Sequence, residues 1–315
     1  MAAALAMREV FASTLVELGA QYPNLVVLDG DLANSTRAEV FEQHYPERFL
    51  EMGIAEQNLM GVAAGLATVG FIPWLSSFAV FLVNRDLDQL RMVVAQPSLN
   101  VKIGAGYAGL FTARTGKTHQ EVSDLAVMRA MPHLTVVAPA DGVECRQVMR
   151  VATASPGPWY VRLVRDPTPT FFGDDYEFVP GKVITLRAGS DLTIFSTGTQ
   201  SIRALEAADQ LAAEGISAEV VHVPTLKPLE TAGIVESARK TGRVLTTEEH
   251  TIIGGLGSAI CEVLGENYPV PIHRHGLFDL YGESGSNDEL LEKYGLTPRH
   301  IAEAARALIQ RTARS

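Results

Sequence analysis

Cysteine is scarce in this chain. Among 315 residues only Cys145 and Cys261 carry thiols, with neither CxxC spacing nor a disulfide framework, which argues against a disulfide-stapled secreted fold and for a reducing compartment. Both are expected to be small core residues. Positive charge is also short: 26 Lys and Arg face 36 Asp and Glu, and the net charge of −10 argues against nucleic acid as a partner. Residues Met1–Met7 carry no leading positive charge and meet Arg8 and Glu9 before an apolar segment accumulates, so no signal peptide is expected. The run Asn58–Asn84 has no formal charge and is long enough to suggest a membrane span. Gly70, Pro73 and Ser76-Ser77 divide it instead into a small-residue helix, a strand and a loop, with the helix expected at a subunit interface. No internal repeat or low-complexity segment is present.

What remains is an ordinary globular composition, 47% apolar and 20% charged, in a chain long enough for two cores. Short β-branched runs alternate with helical stretches, the pattern of an α/β protein whose mostly parallel sheets carry helices on both faces. Strands are predicted at Leu25–Leu28, Phe71–Leu75, Val101–Gly104, Thr135–Ala138 and Trp159–Val164. After an irregular stretch, Asp166–Gly181, the alternation restarts with Leu192–Ser196, Ala218–Val223, Val244–Glu248 and Pro271–His275. Helical spacing of apolar residues marks Ile202–Glu214, Gly233–Lys240, Leu256–Leu264 and Pro298–Thr312. The expected domains are residues 1–180 and 181–315.

The most informative segment is Met52-Gly53-Ile54-Ala55-Glu56-Gln57-Asn58, opening onto the small-residue run Leu59–Ala67. It reads as a strand end delivering one carboxylate to a helix start. An acid there, followed by uncharged residues, is expected to be partly desolvated and inclined to take or share a proton. The plain alternative is an acid in the first helical turn that complements the macrodipole.

Together with further segments in the same order, this one resembles the transketolase family and its relative 1-deoxyxylulose-5-phosphate synthase, whose Gly-Ile-Ala-Glu-Gln or Gly-Val-Arg-Glu-His carries the glutamate that activates thiamine diphosphate. The resemblance covers essentially the whole chain but only the second half of a full-length transketolase. It implies a pyrimidine-binding domain followed by the transketolase C-terminal domain, with Glu56 as the catalytic acid on the cofactor's aminopyrimidine. Asp31, in Leu28-Asp29-Gly30-Asp31-Leu32, is similar to the family's cofactor-side aspartate, the alternative being an N-cap for a helix over Asn34–Gln43. Phe78 and Phe81, in Ser76-Ser77-Phe78-Ala79-Val80-Phe81, match Ser-Thr-Phe-x-x-Phe, whose second aromatic packs on the aminopyrimidine; core packing is the alternative for Phe78. His119, in Gly116-Lys117-Thr118-His119-Gln120, resembles a histidine that contacts the sugar and moves protons. Arg165 aligns with an arginine gripping the substrate phosphate, with Arg8 and Ser35 near two further phosphate contacts; each arginine could instead form an ion pair.

Departures accompany the resemblance. Thr115 stands where the family has an aspartate that reads a sugar hydroxyl, Tyr107 replaces a second histidine, and Arg114 and Lys117 add charge nearby. Absent too is the diphosphate-binding Gly-Asp-Gly with its downstream asparagine, whose oxygens hold Mg²⁺. Gly30-Asp31 continues with leucine, and Asn58 belongs to the Glu56 segment. No metal ligands are assigned to this chain. The resemblance therefore implies the β-type half of a split transketolase in an α2β2 assembly, in which a partner subunit with the diphosphate-binding domain supplies the Mg²⁺ ligands. Together they would transfer a two-carbon ketol unit between small, anionic sugars in the cytoplasm. A deoxyxylulose-phosphate synthase, another ketoacid-donor carboligase or a 2-oxoacid dehydrogenase β subunit are alternatives, and a non-catalytic partner subunit is one of a different class. Gly254-Gly255-Leu256-Gly257-Ser258 lacks GxGxxG spacing and is expected to be a strand-to-helix turn. His273 and His275 alternate along a strand without a third ligand.

Overall fold

A computed structural model describes residues 4–173 and 175–313. The first three residues of the Met1–Met7 segment and Asp174 of the irregular stretch lie outside the described residues. Among those described, the large sheet has seven strands in the order Thr225–Lys227, Thr135–Val137, Trp159–Arg162, Lys102–Gly106, Ile72–Phe78, Leu25–Asp29 and Phe49–Glu51. All but the first run parallel. Strands of a parallel sheet are covered on both faces, and Leu25–Asp29, Ile72–Phe78 and Lys102–Gly106 are accordingly buried at every position. A second sheet orders Ile272–Leu277, Val244–Thr251, Leu192–Ser196 and Ala218–His222 in parallel, with Ile184–Arg187 antiparallel at its edge.

The nine strands and four helices read from the sequence are present, Leu192–Ser196 and Pro298–Thr312 with the same ends and the others with shifted ends, and the strands it missed are short edge pieces. Phe49–Glu51, Ile184–Arg187, Thr225–Lys227 and the pair Ala4–Ala6 with Pro167–Pro169 have three or four residues each, too few to show a period. Thr225–Lys227 crosses from the second half of the chain to pair with Thr135–Val137 of the first sheet. The uncharged run folds as the helix Glu56–Thr68, the strand Ile72–Phe78, which runs through Pro73 and both serines, and the helix Ala79–Asn84 where a loop was expected. Leu59, Met60, Ala63 and Ala64 bury one face of the first of these helices, while Gly61 and Gly65 lie on its exposed side. No helix of the described residues is long and apolar enough to cross a membrane. Cys145 is fully buried and Cys261 half-buried, so only the first is a core residue.

Packing depends on small residues at two places. A Cβ on Gly104 would stand 2.5 Å from the Phe11 ring, so glycine lets the helix Met7–Gln21 settle on the sheet. A Cβ on Gly255 would meet Glu248 Oε2 at 2.0 Å. That carboxylate accepts the amides of Leu256 at 2.7 Å and Gly257 at 2.8 Å, so the glycine-rich turn cradles the chain's own acid at a helix start. Burial pushes Glu248 up to about 7 against these bonds.

The two sheets are joined by buried polar groups. On the side of the first sheet, Arg162 Nε donates to Asp124 at 2.8 Å and the Tyr160 hydroxyl donates to the same oxygen at 2.8 Å; the guanidinium held there crosses to the second sheet, where Nη2 donates to the Glu249 carbonyl at 3.1 Å. Burial pushes His250 down to about 4. The neutral ring accepts the Leu125 amide on Nε2 at 3.1 Å. Ser201, His222 and Glu144 form a second tie, with Ser201 Oγ to His222 Nδ1 at 2.6 Å and His222 Nε2 to Glu144 at 2.8 Å. This has the shape of a nucleophilic triad, yet all three side chains are fully buried, so no substrate reaches the serine.

Removing one partner of a buried ion pair strands the other. Asp124→Ala is expected to lower unfolding free energy by roughly 3 kcal/mol or more in urea titrations, as buried pairs do when broken. A loss below about 1 kcal/mol, the range of a surface pair, would show that Asp124 does not anchor the Arg162 guanidinium that crosses to the second sheet.

Candidate active site

Parallel pairing places the C-terminal ends of five neighbouring strands on one edge of the large sheet, the edge where α/β proteins bind ligands. Each candidate residue leaves from that edge or lies against it. After Phe49–Glu51 the backbone turns through Gly53, in the left-handed region at φ 70°, and enters the helix whose first residue is Glu56. Glu56 is only 3% exposed. Its Oε1 accepts Nη1 of Arg85 at 2.8 Å, and the Arg85 guanidinium lies over the Phe81 ring with its carbon 4.0 Å from the centroid. The Arg85 side chain is 45% exposed and lines, with Ile54, Ala55, Gln57 and Asn58, an open cleft beside Glu56 of about 590 Å³.

Phe78 ends the strand Ile72–Phe78, and Phe81 stands on the helix that follows it. Phe81 is half-buried and Phe78 buried, their rings 5.8 Å apart and nearly parallel. His119 presents its ring at 5.4 Å and 73° to Phe81 and at 5.9 Å and 70° to Phe78. Its Nδ1 is engaged by Thr118 Oγ1 at 2.9 Å.

Arg8, Ser35 and Arg165 come together around the Tyr107 hydroxyl. That oxygen accepts Arg165 Nε at 3.1 Å and Arg8 Nη1 at 3.4 Å and donates to the Ser35 carbonyl at 3.4 Å. The Tyr107 ring stacks on Phe78 at 3.8 Å and 20°. A continuous path therefore runs from two guanidinium groups through Tyr107, Phe78, Phe81 and His119 to Arg85 and Glu56. Arg114 and Thr115 face Arg165, Asn287 and Asp288 across a second concavity, and Thr115 is bonded to Thr112 Oγ1 at 2.5 Å.

Asp31 is exposed, at φ 63°, and its amide donates to Glu51 at 3.0 Å. It makes no side-chain cap, and the helix foreseen over 34–43 is broken at Arg37, in the left-handed region at φ 70°, into Ala33–Thr36 and Glu39–His44. Arg165 and Arg8 also make the ion pairs weighed for them, with Asp166 at 2.6 Å and Glu9 at 3.9 Å. Sequence reading missed Arg85, whose only signal was its place four residues after Phe81, and it took Tyr107 for a departure when it is the centre of the basic cluster. Missed too is Asp86, fully buried beside Arg85 with neither carboxylate oxygen hydrogen-bonded, its pKa pushed well up by burial and by Glu56. His273 and His275 do alternate on one strand, half-buried, with His275 bonded to Thr247 at 3.0 Å. Among the described residues no group of three or more His, Cys, Asp or Glu is placed to hold a metal ion.

Comparisons with known proteins agree on one family. The sequence profile described as transketolase, pyrimidine binding domain matches residues 3–170, and that for transketolase, C-terminal domain matches residues 181–301. The chain is 41% identical over 305 residues to the 6-deoxy-6-sulfo-D-fructose transketolase subunit SqwH of Clostridium sp. (strain MSTE9), covering 97% of this chain and 95% of that protein. It is 36% identical over 308 residues to an apulose-4-phosphate transketolase subunit of Phocaeicola vulgatus, covering 98% of each. A solved structure described as split gene transketolase, inactive beta4 tetramer, is similar with a TM-score of 0.90 at 47% identity, covering 98% of this chain and 99% of that one.

One titration belongs to this edge. Asp29, at the end of its strand, is fully buried; its Oδ1 accepts the Leu32 amide at 2.6 Å while Oδ2 has no partner. Burial pushes its pKa from 3.8 to about 6. The native carboxyl thus keeps a proton that the unfolded chain releases, and stability falls as pH rises from about 4 to about 6. Asp29→Asn keeps the acceptor and removes the ionisation. Its unfolding free energy relative to wild type is expected to rise by up to about 3 kcal/mol across that window, and a pH-independent difference would refute the assignment.

Proposed function

The chain belongs to the transketolase family, and from that premise we propose that it is the β-type half of a split, thiamine diphosphate-dependent transketolase. The observation that carries this reading is the convergence of a buried carboxylate, Glu56, and an aromatic face, Phe81, on one flat nitrogenous cation. The Arg85 guanidinium held there, a planar group with N–H donors at its edge, supports reading the pair as a seat for the aminopyrimidine. The site therefore fits the pyrimidine end of the cofactor.

Thiamine diphosphate, when bound, supplies the nucleophilic carbon on which a two-carbon ketol unit is carried. Glu56 holds the proton at the aminopyrimidine ring nitrogen, and its burial excludes the water that would compete for that bond. Phe81 positions the ring and Phe78 backs the aromatic floor. Asp31 lies at the cofactor's side of the edge. His119 exchanges a proton with a substrate oxygen through Nε2. Arg8 and Arg165, joined by the Tyr107 hydroxyl beside Ser35, bind an anionic head. The two relatives above are named for a sulfo sugar and a sugar phosphate, both anionic, and Thr115 and Tyr107 adapt the same subsite to a substrate other than the usual pentose phosphates.

No residues of this chain match the diphosphate-binding motif, so the partner subunit with that domain is proposed to supply the Mg²⁺ ligands and to complete an α2β2 assembly. The similar β4 structure, described as inactive, supports the need for that partner. The two free thiols suit the cytoplasm, and residue 180 is proposed as the end of the pyrimidine-binding domain.

Two experiments test this function. In the assembly with its partner, Glu56→Gln is expected to lower kcat by about 100-fold or more with the fold intact, and the chain alone to show no turnover; near-normal rates in either case would sink the proposal. Arg165→Met is expected to raise KM for an anionic donor about 10- to 100-fold with a smaller change in kcat, and Tyr107→Phe about 2- to 10-fold. Unchanged KM for both would move the anion site elsewhere.

A further inference from the structure

Arg85 meets, at the same time, both surfaces assigned to the cofactor's aminopyrimidine. Nη1 lies 2.8 Å from Glu56 Oε1 and the guanidinium carbon 4.0 Å from the Phe81 centroid. A guanidinium is flat, cationic and rich in N–H donors, so it satisfies a carboxylate edge and an aromatic face as a nitrogenous ring does. We infer that Arg85 is an internal stand-in for the aminopyrimidine: it occupies the pyrimidine site of the cofactor-free subunit, and the cofactor binds by displacing it. The inference rests on Glu56 being the aminopyrimidine acid and adds a residue that sets how tightly the cofactor is held.

The local structure favours displacement of the side chain over movement of the backbone. The Arg85 amide donates to the Phe81 carbonyl at 3.1 Å, and the next residue, Asp86, is fully buried. Beyond Cα, the side chain is 45% exposed along the open cleft, so a released guanidinium passes directly into water. Glu56 could not be released in the same way, because it is 3% exposed and would be left as an uncompensated buried charge. The pair thus keeps the acid partnered and in place until a better partner arrives. The cost falls on affinity, since a site competent for only a fraction of the time weakens the apparent Kd by that fraction.

The test is equilibrium binding of thiamine diphosphate with Mg²⁺, followed by titration calorimetry on the chain assembled with its diphosphate-domain partner. Arg85→Ala is expected to tighten Kd by about three- to tenfold, the scale of a half-exposed ion pair plus a cation–π contact. Arg85→Met, which still covers Phe81 without a charge, should tighten it as well. In a Glu56→Gln background, where the guanidinium has no carboxylate to hold, the gain from Arg85→Ala should fall below about twofold. Unchanged or weaker binding in the single Arg85 variants, or an equal gain in both backgrounds, would overturn the stand-in. Failure of the underlying reading shows differently: Glu56→Gln would retain normal turnover whatever the affinities of the Arg85 variants.

Discussion

A carboxylate taken out of water has to be met by a cation or by hydrogen-bond donors, and the candidate site is organised around that requirement at Glu56. The strand Phe49–Glu51 and the left-handed turn at Gly53 carry the backbone into a helix start that seals the side chain to 3% exposure. The amides of that first turn could have satisfied it, as those of Leu256 and Gly257 satisfy Glu248. Glu56 instead turns to a side chain from another helix, so its partner is exchangeable. A carboxylate closed by its own backbone is a structural cap, whereas one closed by a half-exposed arginine is a socket.

The remainder of the molecule keeps that socket in register with the basic cluster around Tyr107. Five parallel strand ends supply Glu56, Asp31, Phe78, Tyr107 and Arg165 from one edge, and the parallel ladder fixes their order along it. The second sheet contributes no group to the path from Arg165 to Glu56. Its part is to lock the loops that carry the site: Glu249 accepts the Phe111 amide at 2.7 Å, and the Gln120 side chain donates to the Glu283 carbonyl at 3.0 Å. The segment between Tyr107 and His119 is thereby pinned at both ends by the neighbouring domain. The bonds from Arg162 to the Glu249 carbonyl and from the Leu125 amide to His250 do for the sheets what these do for the loop.

Most of this architecture was legible in the sequence. Long β-branched runs such as Leu192–Ser196 and amphipathic helices such as Pro298–Thr312 carry their period over enough residues to be read. The short edge pieces Phe49–Glu51 and Thr225–Lys227 exist because a neighbouring strand offers free hydrogen bonds, which no local pattern records. Likewise the break at Arg37 is a backbone choice, and the expected helix over 34–43 had no glycine or proline to announce it. In the candidate site, Glu56, Phe81, His119, Arg8, Ser35 and Arg165 were named because their segments resemble those of the transketolase family, and the structure brings them to one edge. Arg85 and Tyr107 were not, since their importance is relational: a cation matters here for the ring and acid it happens to touch, and a tyrosine for the two guanidinium groups its hydroxyl holds apart.

That hydroxyl bears on the chemistry of recognition. A histidine would offer a nitrogen whose charge follows pH, placed next to two arginines. A phenol hydroxyl at the same place accepts from both arginines and donates its own proton to the Ser35 carbonyl. One oxygen thus ties Arg8, Arg165 and the Ser35 carbonyl together, the cluster proposed above to bind an anionic head. Because the Tyr107 ring also stacks on Phe78, any ligand group that moves the hydroxyl presses on the aromatic floor beneath Phe81 and His119. The basic cluster at one end of the edge and the ring packing near Glu56 at the other are therefore joined through a single side chain, Tyr107.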